Sequence, residues 1–236
     1  MSQGRTGSGA DGVPLRQVLG RLPLFSQLPG EQLDLVGGAT RVRRLGAGEV
    51  LFHAGEECTA FFCVVAGQLK LTLSTSGGDE KVLEIISAGE TFGEAVMFAG
   101  RPYPVTATAL LRSVLAVVPA AVVLDLVTAD PMFARRMLAG MSVRLHTMIE
   151  DVQAISLRTG TQRVAGLLLS LAGDDPAPGV VVELPAGKAV LASRVNLTPE
   201  HFSRTLRELT LGRLIEVRGR RIALLDVPGL LAATGA

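Results

Sequence analysis

Between Pro131 and Ile155 the apolar residues Ala134, Leu138, Met141, Leu145, Met148, Val152 and Ile155 follow one another at spacings of 4, 3, 4, 3, 4 and 3. A strand cannot use that pattern, because its side chains alternate with a period of two. A helix can. A helix lying on its own core shows a wider apolar stripe, whereas a narrow seam of alternating fours and threes fits two helices packed along each other. The spacing therefore predicts a long helix over 131–160, with Pro131 early in its first turn. Its seam (Leu138, Met141, Leu145, Met148, Val152 and Ile155) is expected to pack against the same helix of a second copy in a parallel homodimer.

The pattern on either side of this helix is different. From about Val50 to Val118 the period is two. "GQLKLTLST" places Leu69, Leu71 and Leu73 on one face and Gln68, Lys70 and Thr72 on the other. "KVLEIIS", "VTATA" and "SVLAVV" add short strands, and glycines at turn-like intervals punctuate them. Many short strands so spaced predict an antiparallel barrel or jelly roll.

After Gly160, "TQRVAGLLLSLAG" is a further apolar helix, and "KAVLASRVNLTPEHFSRTLREL" reads as two helices joined by a tight turn. Ala192 is small where the helices must approach, and Asn196 stands where the turn needs a left-handed backbone. Thr198 is a good N-cap, Pro199 suits the first helical position, and Glu200 puts a carboxylate in the first turn. Phe202, Leu206 and Leu209 face a core. Glu200, Ser203, Arg204 and Arg207 are left together on the other face.

This is the helix-turn-helix pattern, whose second helix enters the major groove of double-stranded DNA. Downstream, Leu214–Val217 and Ile222–Leu225 predict a hairpin with the basic tip Arg218-Gly219-Arg220-Arg221, a wing. From Lys188 to Arg221 there are eight Lys or Arg against three Asp or Glu, a net of +5, while the whole chain carries +1. Positive charge gathered on one module suits phosphate contacts, here from Arg218 and Arg220.

Composition excludes other classes. The apolar stretches break well short of the roughly twenty residues a membrane helix needs. "MSQGRTGSGADGVP" is small, polar and without an apolar h-region, so residues 1–20 are expected to be a flexible tail rather than a signal peptide. Cys58 and Cys63 are too few for a disulfide framework, and a cytoplasmic location is expected. Cys63, in an apolar strand, is expected to be a packing residue. A metal-binding jelly-roll enzyme would cluster its histidines, but His53, His146 and His201 are separated by 93 and 55 residues. No Ser–His–Asp set or carboxylate pair stands out, and an enzyme is not expected.

In this order the pieces resemble the CRP/FNR superfamily of bacterial transcription regulators. The resemblance rests on "GEVLFHAGE", "VVAGQLKL", "SAGETFGEAVMF", "SVRLHTMIEDVQAISLRTGTQRVAGLLLSLA" and "PEHFSRTLREL", and covers nearly the whole chain after about Leu22. "ETFGEAVMF", "RLHTMIEDVQAISL" and "PEHFSR" most resemble the DNR branch, nitric-oxide-responsive regulators of nitrate respiration. The fold implied is α+β: a cyclic-nucleotide-binding-like β jelly roll over 21–130 as sensor, the dimerisation helix over 131–160, and a winged helix-turn-helix over 161–236. The resemblance also implies an activator that works with RNA polymerase.

FNR-like members read DNA with E-x-x-S-R, matched here by Glu200, Ser203 and Arg204. CRP-like members carry Arg just before that Glu, where this chain has Pro199. The resemblance thus implies a TTGAT-N4-ATCAA palindrome. Arginine can grip guanine O6 and N7, and a carboxylate can accept from cytosine N4. Thr198, Arg207, Arg218 and Arg220 complete the expected DNA-binding set.

Cyclic-nucleotide binders of the superfamily follow the Gly-Glu of this loop with an Arg-Ser or Arg-Thr pair. Gly93 and Glu94 are present, but Tyr103-Pro104 stands in place of the pair, so cAMP is not expected in a pocket lined by Gly93, Glu94 and Tyr103. An FNR-style iron–sulfur cluster needs four thiolates and is excluded by two cysteines. The DNR resemblance implies haem and nitric oxide sensing, with His146, one place after Leu145, as the candidate ligand. Ligation by Met or Cys, or no haem at all, stays open. The alternatives are a regulator active without a small-molecule effector and a cyclic-nucleotide-responsive one.

Overall fold

A computed structural model describes residues 15–22, 24–74, 80–173 and 175–235, with the side chains of 150–157 left out of the description. The chain divides into two compact units, Met1–Leu145 and His146–Ala236. The first opens with helices α1 (Leu15–Gly20) and α2 (Gly30–Ala39). Eight strands follow: β1 (Arg41–Leu45), β2 (Val50–Phe52), β3 (Ala60–Ala66), β4 (Gln68–Ser74), β5 (Glu80–Ser87) and β6 (Thr91–Phe92), then a short helix α3 (Glu94–Ala99), then β7 (Thr106–Ala109) and β8 (Ser113–Pro119). Helices α4 (Ala120–Ala129) and α5 (Pro131–Leu157) come next. The strands form two four-stranded antiparallel sheets, ordered β1-β8-β3-β6 and β2-β7-β4-β5.

Strand β3 shows why this unit needs both strands and helices. Its first five residues, Ala60 to Val64, are all buried. Alternate side chains serve two different cores. Phe62 and Val64 point into the barrel with Phe52, Leu69, Phe92, Tyr103 and Leu115. Phe61 and Cys63 point outward into a layer made by Leu15, Leu19, Phe25, Val36, Val123, Leu126, Phe133 and Met137. Phe25 stacks on Phe133 with centroids 5.9 Å apart and meets Phe61 edge-on at 6.0 Å.

Two expected boundaries are corrected by this outer core. The flexible tail expected over 1–20 does not reach Gly20, because α1 is helical and buries Leu15 and Leu19; residues 1–14 lie outside the described residues. The sensor does not end at 130, because Phe133 and Met137 of α5 belong to its core.

The alternation expected in β4 holds through Leu69 and Leu71, which pack in the barrel core opposite Ala109 and Ala107 of β7. Leu73, near the end of the strand, is 42% exposed, and Thr72 is fully buried with its hydroxyl donating to the Thr106 carbonyl at 3.4 Å. The register shift against β5 falls on the partner strand, where Leu83 is passed over between Glu84 and Val82. Strand β1 was not foreseen: "RVRRL" has no apolar alternation because it is an edge strand with Arg41, Arg43 and Arg44 in solvent. Gly67, at φ +89°, permits the turn into β4, where a Cβ would collide with Ser113 and the Arg112 carbonyl.

The second unit contains the C-terminal part of α5, then α6 (Gly160–Ala172), β9 (Val181–Glu183), α7 (Lys188–Arg194), α8 (Pro199–Leu211), β10 (Ile215–Arg218), β11 (Arg221–Leu224) and α9 (Val227–Ala233). Thr159 opens α6 with a capping box: Gln162 N–H donates to its Oγ1, and Thr159 N–H donates to Gln162 Oε1 at 2.7 Å. The three strands form a small antiparallel sheet, β10-β11-β9. The helices close over it through Val164, Leu168, Leu191, Phe202, Leu206, Ile222 and Leu230, all buried.

Candidate nucleic-acid interface and effector cleft

Helices α7 and α8 pack across Ala192, which is fully buried. Asn196 has φ +57°, the left-handed residue the turn demands. Leu197 N–H donates to the Ala192 carbonyl at 2.8 Å and closes the turn. Thr198 caps α8 by accepting from His201 N–H at 3.2 Å, and Pro199 begins the helix. Phe202, Thr205, Leu206 and Leu209 form its buried stripe. Thr205 belongs to the same i, i+3, i+4, i+7 series that marked the other three, although its hydroxyl made it an unobvious member.

The opposite face carries the residues singled out for base reading. Pro199, Glu200, Ser203, Arg204 and Arg207 line one shallow depression of ≈ 410 Å³. Glu200, Arg204 and Arg207 are exposed and Ser203 is half-buried. Among the described residues no ion pair joins Glu200 to Arg204, although their spacing allows one. Carboxylate, hydroxyl and guanidinium are thus presented side by side, as a base-edge reader requires.

The wing is present, but two of its three tip arginines are engaged. Arg218 pairs with Arg221 across β10 and β11, leaving Gly219-Arg220 as a two-residue loop with Gly219 at φ +66°, as a tight hairpin favours. Arg220 turns back and donates from Nε (3.0 Å) and Nη2 (2.7 Å) to the Leu184 carbonyl. It braces the wing to the loop before α7. Arg218 donates to Glu216 Oε1 from Nε (2.9 Å) and Nη2 (2.8 Å) in a solvent-exposed pair. Such a pair is worth at most about 1 kcal/mol, so a phosphate can displace Glu216 from Arg218. Arg220 would have to surrender two hydrogen bonds.

In the first unit, Gly93 has φ +95° and leads into α3, whose first residue, Glu94, is buried. Glu94 accepts at Oε1 from Arg144 Nη1 (3.0 Å), and its Oε2 is buried without a partner among the described residues. Arg144 also donates to the Thr91 carbonyl (2.7 Å) and to Glu84 Oε2 (2.7 Å). Burial alone would lower the pKa of this guanidinium, but the hydrogen bonds and charges of Glu84 and Glu94 more than offset it and hold the cation firmly charged. Arg144 lies 60 and 50 residues from its two carboxylates, and nothing local in the sequence marks it.

Tyr103, which the family resemblance sets in place of a cyclic-phosphate arginine, is buried in the barrel core. Its ring stacks on Phe52 at 3.7 Å, and its hydroxyl donates to the Ala60 carbonyl at 3.0 Å. Burial, with Cys58 beside it, raises the phenol above its ordinary pKa. Burial pushes the Cys63 thiol far above the usual thiol range, and the Glu94 carboxylate adds to it. A thiol held protonated in this way is a packing residue.

The expected dimer seam is exposed on the single chain. Leu138 is 63%, Leu145 60% and Met148 51% exposed, while Met141 is half-buried at the margin of the barrel-facing side. Ile149, at 48%, extends the apolar stripe. The side chains of Val152 and Ile155 lie outside the described residues.

His146 is exposed. Two residues beyond Arg144, it sits roughly 200° round α5 from that residue. His53 is likewise exposed, and His201 lies on α8. The barrel interior is filled by Phe52, Phe62, Phe92 and Tyr103. These residues do not fit a haem held in this unit by histidine.

A β-sandwich, a long helix with an exposed apolar stripe and a winged helix-turn-helix together define a DNA-binding regulator with a separate N-terminal β domain. Residues 42–130 match the cyclic nucleotide-binding domain and residues 162–233 the Crp-like helix-turn-helix domain. The chain belongs to the CRP/FNR family of transcription regulators, whose members bind DNA and act as dimers.

The transcriptional activator protein FnrA of Stutzerimonas stutzeri is 28% identical over 198 residues, 83% of this chain and 81% of FnrA. The structure of DNR from Pseudomonas aeruginosa is 33% identical with a TM-score of 0.50, covering 92% of this chain and 96% of that one. FixK2 from Bradyrhizobium japonicum, at 21% identity, shares the fold with a TM-score of 0.75 over 84% and 98% of the two chains. Among the described residues no helix is long and apolar enough to cross a membrane.

Proposed function

We propose that this regulator reads an FNR-like TTGAT-N4-ATCAA palindrome as a homodimer, with one α8 helix in each half-site. The observation that carries the reading is the convergence of Glu200, Ser203, Arg204 and Arg207 on one depression, on the side of α8 opposite its buried stripe. Arg204 takes guanine through O6 and N7, Glu200 accepts from cytosine N4, and Ser203 supports a neighbouring base. Arg207 and the wing's Arg218 lie where phosphates are met. FnrA is a transcriptional activator, and activation through RNA polymerase is the mode proposed here as well.

Haem-based sensing is no part of this proposal. Nitric oxide sensing through haem would require a ligand other than His146, which faces solvent.

The test is binding to the palindrome and its single-base variants. Arg204→Ala is expected to cost roughly 1–3 kcal/mol per half-site and to relax preference at one position. Equal weakening on every variant would make α8 a positioning element and refute the assignment.

A further inference from the structure

Arg144 is the point at which α5 leaves the first unit. Upstream, α5 is held by apolar side chains, Phe133 fully buried and Met137 4% exposed. Downstream, every described side chain from Leu145 to Ile149 is exposed. Between them Arg144 reaches three separate elements: Glu84 on β5, Thr91 on β6 and Glu94 on α3. Its side chain is 25% exposed, that of Glu84 30% and that of Glu94 9%.

We propose that Arg144 is the positioning residue that sets the dimerisation helix on the sensor, through a Glu84–Arg144–Glu94 clamp. The inference rests on reading α5 as the dimer helix. Arg144 immediately precedes Leu145 of the seam, about 100° away round the helix. Any lifting or rotation of α5 that breaks the clamp therefore also turns the seam away from a partner. The clamp resists that motion because its charges are unequal. One guanidinium serves two carboxylates, and Glu94 already has one buried oxygen without a partner. Withdrawing Arg144 leaves both carboxylates together and uncompensated in a largely desolvated place, which is strongly unfavourable. The contact is made by the chain's own residues, so it needs no small molecule to hold α5.

The experiment uses the full chain with Arg144→Gln, Arg144→Lys and the milder, more exposed Glu84→Gln. Sedimentation equilibrium gives the dimer dissociation constant, titration gives affinity for the palindrome, and thermal unfolding is followed in parallel. Arg144→Gln is expected to weaken the dimer at least tenfold, with operator binding falling alongside. Arg144→Lys should fall between it and the wild type, because lysine keeps the charge but not the forked geometry. Glu84→Gln is expected to weaken the dimer severalfold, which keeps the test decisive if Arg144→Gln fails to fold. Variants with lower melting temperatures but dimer and operator affinities within twofold of wild type would overturn the inference and leave the dimer reading intact. A wild-type chain that stays monomeric would instead remove the dimer reading, and this inference with it.

Discussion

Replacing Leu145 by Glu tests the seam at one of its exposed leucines. Full burial of a leucine is worth about 1.5–3 kcal/mol. With 60% of Leu145 exposed on the single chain, the part that a partner can cover is worth roughly 1–2 kcal/mol per protomer, or ~2–4 kcal/mol for the symmetric pair. A carboxylate at this position forfeits that and adds an uncompensated charge, for which about 3–5 kcal/mol is usual. The expected loss is about 5 kcal/mol or more. Each 1.4 kcal/mol is tenfold, so the dimer dissociation constant should rise by more than about 10³.

Sedimentation equilibrium across a wide concentration range reads this directly. Val143→Glu is the matched control. Val143 is 68% exposed on the same helix but lies roughly 200° round from Leu145, so a charge there should leave the dimer unchanged. A Leu145→Glu chain that remains dimeric where the wild type does, or a Val143→Glu chain disrupted to the same degree, would refute the assignment of this face.

The wing arginines should part company. Arg218→Ala is expected to weaken all DNA sequences alike and to flatten the slope of log affinity against log salt by about 0.9 per half-site, with no thermal effect. Arg220→Ala should instead lower the stability of the C-terminal unit by about 1–3 kcal/mol, because the Leu184 carbonyl loses both donors; an unchanged melting temperature would show that the brace is dispensable. Calorimetry with cAMP is expected to give no binding at micromolar concentrations, since Tyr103-Pro104 stands where the resemblance calls for an Arg-Ser pair and the Tyr103 ring is packed against Phe52 in the barrel core. Micromolar affinity with a matching gain in operator binding would contradict that.

What could be read in advance follows from the range of the forces involved. The face of α8 was legible because both of its determinants are local: Thr198 and Pro199 fix where the helix starts, and Phe202, Leu206 and Leu209 fix which side is buried. That Pro131–Leu157 forms one helix was legible for the same reason. The burial of Thr72 was not legible because its cover comes from another strand, where its hydroxyl meets the Thr106 carbonyl 34 residues away. Phe133 was assigned to the dimer helix rather than to the sensor core because its partners, Phe25 and Phe61, lie far away in sequence. Arg144 and Arg220 were beyond reach for a related reason. A basic residue in a polar stretch looks the same whether it meets water, a phosphate, two carboxylates or a carbonyl 36 residues upstream.

The double duty of β3 bears on how the first unit unfolds and how it can be divided. Its odd-numbered side chains seal the helical layer and its even-numbered ones seal the barrel, so neither layer can melt while the other keeps its full interior. Amide protons of Phe61 through Val64 should therefore exchange only through opening of the whole unit, and helix α1 should contribute to that barrier despite its six residues. A fragment cut at residue 130 would lose Phe133 and Met137 and leave the outer side of β3 partly uncovered. Such a fragment should be prone to self-association, and the smallest piece of the first unit that folds by itself runs on into α5.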